Sequence, residues 1–132
     1  MSDYLEVQLR AHIFRTATFT KPAQLWVSLH TVDPTDLGTG AEANYGAYAR
    51  VQVNPADANW TAASATDGNT DNAAAITFPT CTSGSNTITH FGVWDANAAG
   101  NMITYGALTV SQVIAVGGTP SFAIGALDIT FQ

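Results

Sequence analysis

The stretch Thr87-Ile88-Thr89-His90-Phe91-Gly92-Val93-Trp94 reads as a β-strand. It is dense in β-branched and aromatic side chains, which fit a pleated, half-buried surface. Alternation places Phe91 and Val93 on one face and His90, Gly92 and Trp94 on the other. The string Asn97-Ala98-Ala99-Gly100-Asn101 then reads as a hairpin loop leading into a second strand over residues 102–110.

The pattern continues in both directions. Upstream, residues 24–31 alternate, with Leu25, Val27 and Leu29 on one face and Trp26, Ser28 and His30 on the other. The run Asp33-Pro34-Thr35-Asp36-Leu37-Gly38-Thr39-Gly40 is turn chemistry. Residues 48–53 alternate again, 55–72 read mostly as loop, and 75–78 form a short strand stopped by Pro79. Downstream, strands are expected at 112–116 and 121–124, with a last one carrying Leu127, Ile129 and Phe131 inward. About eight short strands with frequent Gly and Pro turns predict an all-β, antiparallel, jelly-roll-like sandwich.

Only the start of the chain reads as helix. Asp3 and Glu6 form a capping-box-like pair, and Leu5, Leu9 and Ile13 recur at four-residue spacing over about residues 3–14. The expected organisation is a helical arm, residues 1–19, before a sandwich over 20–132. A helix of this length is marginal alone in water, so its apolar stripe needs a docking surface.

Charge excludes several functions. The 132-residue chain has a net charge of −6 and only 11% charged residues, under half the usual share of about 25%. All four basic residues, Arg10, Arg15, Lys21 and Arg50, lie in the first 50 positions, while Asp57, Asp67, Asp71, Asp95 and Asp128 follow. Such a chain does not neutralise nucleic-acid phosphates or form a polybasic membrane anchor. No apolar run approaches a membrane span of about 18 residues, and the start of the chain does not read as a secretion signal.

Catalytic and metal motifs are sparse. Ser83-Gly84-Ser85 lacks the first glycine of a nucleophile elbow. His12, His30 and His90 are far apart, and Cys81 is the only cysteine, so no cofactor or metal is expected. Asp67, Asn69 and Asp71 stand at the first positions of a calcium-loop pattern, but Asn72 and Phe78 occupy its glycine and glutamate positions. An exposed turn is the simpler reading of that string.

Several strings resemble one family, small structural proteins of tailed bacteriophages usually described as tail-fibre or capsid-decoration proteins. They are Tyr4-Leu5-Glu6, Leu29-His30-Thr31-Val32-Asp33-Pro34-Thr35-Asp36, Gly38-Thr39-Gly40, Tyr48-Ala49-Arg50 and Ile76-Thr77-Phe78-Pro79-Thr80. Ile88-Thr89-His90-Phe91-Gly92-Val93-Trp94-Asp95-Ala96, Tyr105-Gly106-Ala107-Leu108 and Gly125-Ala126-Leu127-Asp128-Ile129-Thr130 complete the set. Departures fall in turns, at Gly46-Ala47 and Thr119-Pro120. The resemblance implies a virion component without catalysis, assembled in the host cytoplasm.

A fibre proper needs length from coiled coil, triple β-helix or repeats, and none is present. The expected role is therefore a capsid decoration, or cement, protein. It would bind neighbouring subunits of the major capsid protein as a homo-trimer or dimer. The alternative is a small tail, baseplate or tail-fibre component. A carbohydrate-binding module with Trp26, Trp60 and Trp94 as its aromatic platform is a further reading, and a hydrolase the least supported. Interface candidates are Leu5, Leu9, Ile13, Arg50 and Trp94. Arg50 is open to an intrachain or an intersubunit carboxylate, and Trp94 to core burial or a contact role.

Overall fold

A computed structural model describes residues 1–66 and 68–131. The elements are α1 (Asp3–Phe14), β1 (Trp26–His30), β2 (Val51–Gln52), β3 (Thr70–Asp71), β4 (Ile76–Thr77), β5 (Ser85–Trp94), β6 (Met102–Ala115), β7 (Ser121–Phe122) and β8 (Asp128–Ile129). Every strand pairing is antiparallel. One four-stranded sheet has the order β2-β1-β5-β6, and two short ribbons, β3-β8 and β4-β7, supply the opposing layer. The fold is the antiparallel β-sandwich that alternation predicted, with a second layer of ribbons rather than one continuous sheet.

The core lies where the large sheet meets the ribbons. Val27 and Leu29 of β1 and Ile88, Phe91 and Val93 of β5 pack with Ile76, Phe78 and Leu127, and Phe122 and Ile129 close over them. Leu127 is fully buried and Ile129 partly so, but Phe131 is 57% exposed. Its expected inward position fails because pairing ends at Ile129, so nothing carries the alternation onward.

β6 corrects another expectation. Residues 102–110 and 112–116 were expected as two strands, yet β6 is one strand of 14 residues. Its ladder runs Ile88↔Gln112 and then His90↔Ala107, so residues 108–111 stand opposite Thr89 alone. A bulge absorbs the surplus without ending the strand. A smaller irregularity lies between Val93↔Thr104 and Trp94↔Met102. The segment 55–72, expected as mostly loop, contains β3 and a bridge between Trp60 and Asn72.

Asn72 holds that region to the body. Its Oδ1 accepts from Leu127 N, and its Nδ2 donates to the Ala74 and Ala123 carbonyls, all at 2.8 Å. The side chain is completely buried, so each bond satisfies a group that water does not reach.

The helix forms where the Leu5/Leu9/Ile13 spacing placed it, with a different cap. Ser2 is extended and its hydroxyl accepts from Leu5 N, so Asp3 is the first helical residue rather than the cap. Ser2 N also donates to the Ile103 carbonyl and Asp3 N to that of Asp36. These bonds, with the buried Leu5, fix the first turn to the body. Beyond it the stripe lifts away: Leu9 is half-buried and Ile13 is 66% exposed.

Candidate functional site

The second face of the large sheet carries the most connected polar cluster. β1 and β5 pair as Trp26↔Trp94, Ser28↔Gly92 and His30↔His90, which brings Trp94, Ser28 and His30 together. Trp94 Nε1 donates to Ser28 Oγ at 2.7 Å, and Ser28 Oγ meets His30 Nε2 at 2.8 Å. His30 Nδ1 lies 3.1 Å from the Gly40 carbonyl. A carbonyl only accepts, so Nδ1 carries the ring proton and Nε2 accepts from Ser28. Burial is the largest influence on His30 and holds its pKa below the ordinary 6.5, consistent with a neutral ring.

Gly92 is required for this arrangement. A Cβ there would stand 2.8 Å from both Ser28 Oγ and Trp94 Nε1. Gly38, at φ +70°, lets the 33–40 turn close over the Trp94 ring, where a Cβ would already be at 3.0 Å.

Arg50 seals the cluster from above. Its Cζ lies 4.0 Å from the Trp94 ring centroid. Nε and Nη2 donate to Glu42 Oε1 and Oε2 at 3.0 and 2.9 Å, and Nη1 donates to the Ala96 and Ala99 carbonyls at 2.9 and 3.0 Å. Tyr48 OH donates to Glu42 Oε1 at 2.7 Å and accepts from Leu29 N at 3.0 Å. For Glu42, burial is the largest single influence and raises its pKa. The donors Arg50 and Tyr48 and the Arg50 charge together outweigh it, so the carboxyl sits below its ordinary value. Burial, then the bond to Glu42, push the Tyr48 phenol upward.

Chemically this is a clamp. Arg50 ties β2's approach, the 33–42 turn and the β5–β6 hairpin loop together, with an intrachain carboxylate as partner. Trp94 is 7% exposed, on the buried side of the alternatives. Trp60 packs against the core with its Nε1 on the Val53 carbonyl, so the three tryptophans do not share one open platform.

The other candidates belong to the arm. Leu5 packs within its own chain, Leu9 is half-buried, and Ile13 projects outward beside Phe14. Among the described residues no group of three or more histidines, cysteines and carboxylates converges as a metal cradle. Asp67 lies outside the described residues; Asn69 Nδ2 donates to Asp128 at 3.2 Å, and Asp71 belongs to β3. Sequence reasoning gave Glu42 no role and met Asn72 only at the glycine position of the calcium-loop pattern. Glu42 was discoverable as one of only two glutamates, the other being Glu6 in the helix. The anchoring role of Asn72 was not legible locally, because its partners Ala123 and Leu127 lie more than fifty residues on.

No curated protein matches the chain. A family model described as Podophage GP4 fiber I protein gp80 matches residues 1–130. The chain belongs to that family. As a gp80-family member it is a phage fibre structural protein, and its place is the virion. The matched span takes in the arm and the sandwich together, including the Arg50–Trp94 clamp and the Asn72 anchor.

Proposed function

We propose that this gp80-family chain is a non-catalytic fibre subunit that works by assembling with copies of itself and with other virion proteins. The observation that carries the reading is the family match over 1–130. The clamp is in keeping with it: Arg50, Glu42, Tyr48, Ser28 and His30 bond one another, which suits holding loops in one shape rather than turning over a substrate. The fibre description favours the tail-side alternative over the capsid-decoration role expected from the sequence. The lack of length in a single chain is then met by attachment to other components.

Gold-labelled antibody raised against the purified protein, imaged on intact particles, tests this. Label confined to the tail region is expected. Label over the capsid faces would restore the decoration role, and unlabelled particles would remove the protein from the virion surface.

A further inference from the structure

The arm and the sandwich each leave groups uncovered, and the two sets are complementary. In α1, Val7, Ile13 and Phe14 are 54%, 66% and 80% exposed. Residues 1–24 hold every basic side chain except Arg50 and carry a net charge of +1, against −7 for residues 25–132. Among the described residues Arg10 ion-pairs only with Glu6, at 3.4 Å on an exposed turn. Arg15 and Lys21 have no ion pair among the described residues.

On the sandwich, a slot of about 310 Å³ opens between β6 and the β3–β8 ribbon, its walls including Leu25, Trp60, Val93, Ile103, Ile129 and Phe131. Thr104 also lines it, and its Oγ1 is buried without a hydrogen-bond partner among the described residues. Asp71 and Asp128 stand directly opposite one another across the same ribbon. Like charges in that relation repel, and a cation placed there would relieve them.

We propose that the arm of one chain docks on the sandwich of a second copy. Ile13 and Phe14 enter the slot, and the arm's basic residues meet Asp71 and Asp128 on the outer side of the ribbon. A chain does not fill its own slot in this way. The helix base is fixed at the carbonyl of Ile103, a residue of the slot wall, and nine residues of helix carry Phe14 about 13 Å along the axis from Leu5. Arm and slot are different surfaces, so the contact closes as a reciprocal dimer or as a ring such as a trimer. The inference rests on the assembly part of the proposed function and names its contact.

The test is the solution mass of the full chain by sedimentation. The wild type is expected to form a defined oligomer that weakens as salt rises, because exposed ion pairs are screened. Ile13→Ser with Phe14→Ser should give monomer with an unchanged far-UV spectrum. An arm-reversed chain (R10E, R15E, K21E) and a body-reversed chain (D71K, D128K) should each be monomeric alone and should associate with each other when mixed, because each arm then meets a body of opposite charge. The Trp60 fluorescence, read as the difference from a Trp60→Phe chain, should shift to the red whenever the mass falls. A monomeric wild type, or arm variants with wild-type mass, would overturn the proposal. A fall in mass without a Trp60 shift would overturn the slot as the docking place. The arm variants alter exposed side chains only, so they decide the matter even if the body-reversed chain fails to fold. Particle labelling reads the fibre assignment separately, whatever the mass.

Discussion

Replacing Arg50 with methionine should cost the sandwich a large part of its thermal margin. The substitution keeps an apolar stem over Trp94 and removes the charge. It deletes the two-point pairing with Glu42 and both bonds to the hairpin carbonyls. The Arg50 side chain is 6% exposed and Glu42 28%, so the carboxylate left behind keeps Tyr48 OH and limited access to water. Removing one partner of a buried pair costs about 3–5 kcal/mol, and partial hydration of Glu42 favours the lower part, about 3–4 kcal/mol. Unfolding entropy for a chain of this length is about 0.28 kcal/mol per kelvin, which converts to a Tm drop of about 11–14 °C. A calorimetric melt at matched protein concentration reads it directly. Glu42→Gln alone and with Arg50→Met completes a cycle in which the double variant should be more stable than the summed single losses. A drop under about 4 °C, the level of an ordinary surface ion pair, would refute the clamp.

The other predictions concern acid, the core and the ribbon anchor. The lowered Glu42 carboxyl contributes stability that is present above its ordinary 4.5 and lost as pH falls through its folded value. The loss begins earlier at His30, because below 6.5 the unfolded chain takes up a proton that the buried ring resists. Tm should therefore fall between about pH 7 and 5, and His30→Gln should flatten that interval when melts are compared across buffers. Leu127→Ala, at a fully buried site, should cost about 2–5 kcal/mol in urea unfolding. Asn72→Ala strands the Leu127 amide and the Ala74 carbonyl, while the Ala123 carbonyl keeps Ala126 N, and should cost about 3 kcal/mol by the same assay, with faster hydrogen exchange at Leu127.

Legibility in the sequence followed the range of the interaction. The alternation of β1 and β5 was readable because burial on the core face repeats every second residue, and Val27, Leu29, Phe91 and Val93 lie where it placed them. The helix span was readable from its four-residue spacing, but its cap was not, because Ser2 is held partly by a carbonyl at Ile103. β6 was divided at Ser111 because a bulge looks locally like a turn; only the pairing with β5 shows that the strand continues. In the site, Arg50's need for a carboxylate was legible as a class of contact, while the choice of Glu42 depended on the 33–42 turn folding back. Ser28, His30 and Trp94 were each assigned to the correct face of their own strand. Their union required the register between strands 60 residues apart, which no single-strand pattern contains.

The wide separation of strand partners in the chain has a consequence for how the protein is made. β1 waits for β5, and the ribbon begun at Thr70 is completed only by Asp128 and Ile129. At about 5–20 residues per second, translation takes roughly 5–20 s to travel from β1 to β8. Throughout that interval Val27 and Leu29 have no finished layer to pack against. Core closure is thus a late event, gated by the emergence of Leu127 from the ribosome. Nascent chains stalled with Leu127 still inside the exit tunnel should stay protease-sensitive and associate with chaperones, and chains stalled on an added C-terminal linker long enough to bring Ile129 out of the tunnel should acquire resistance in one step.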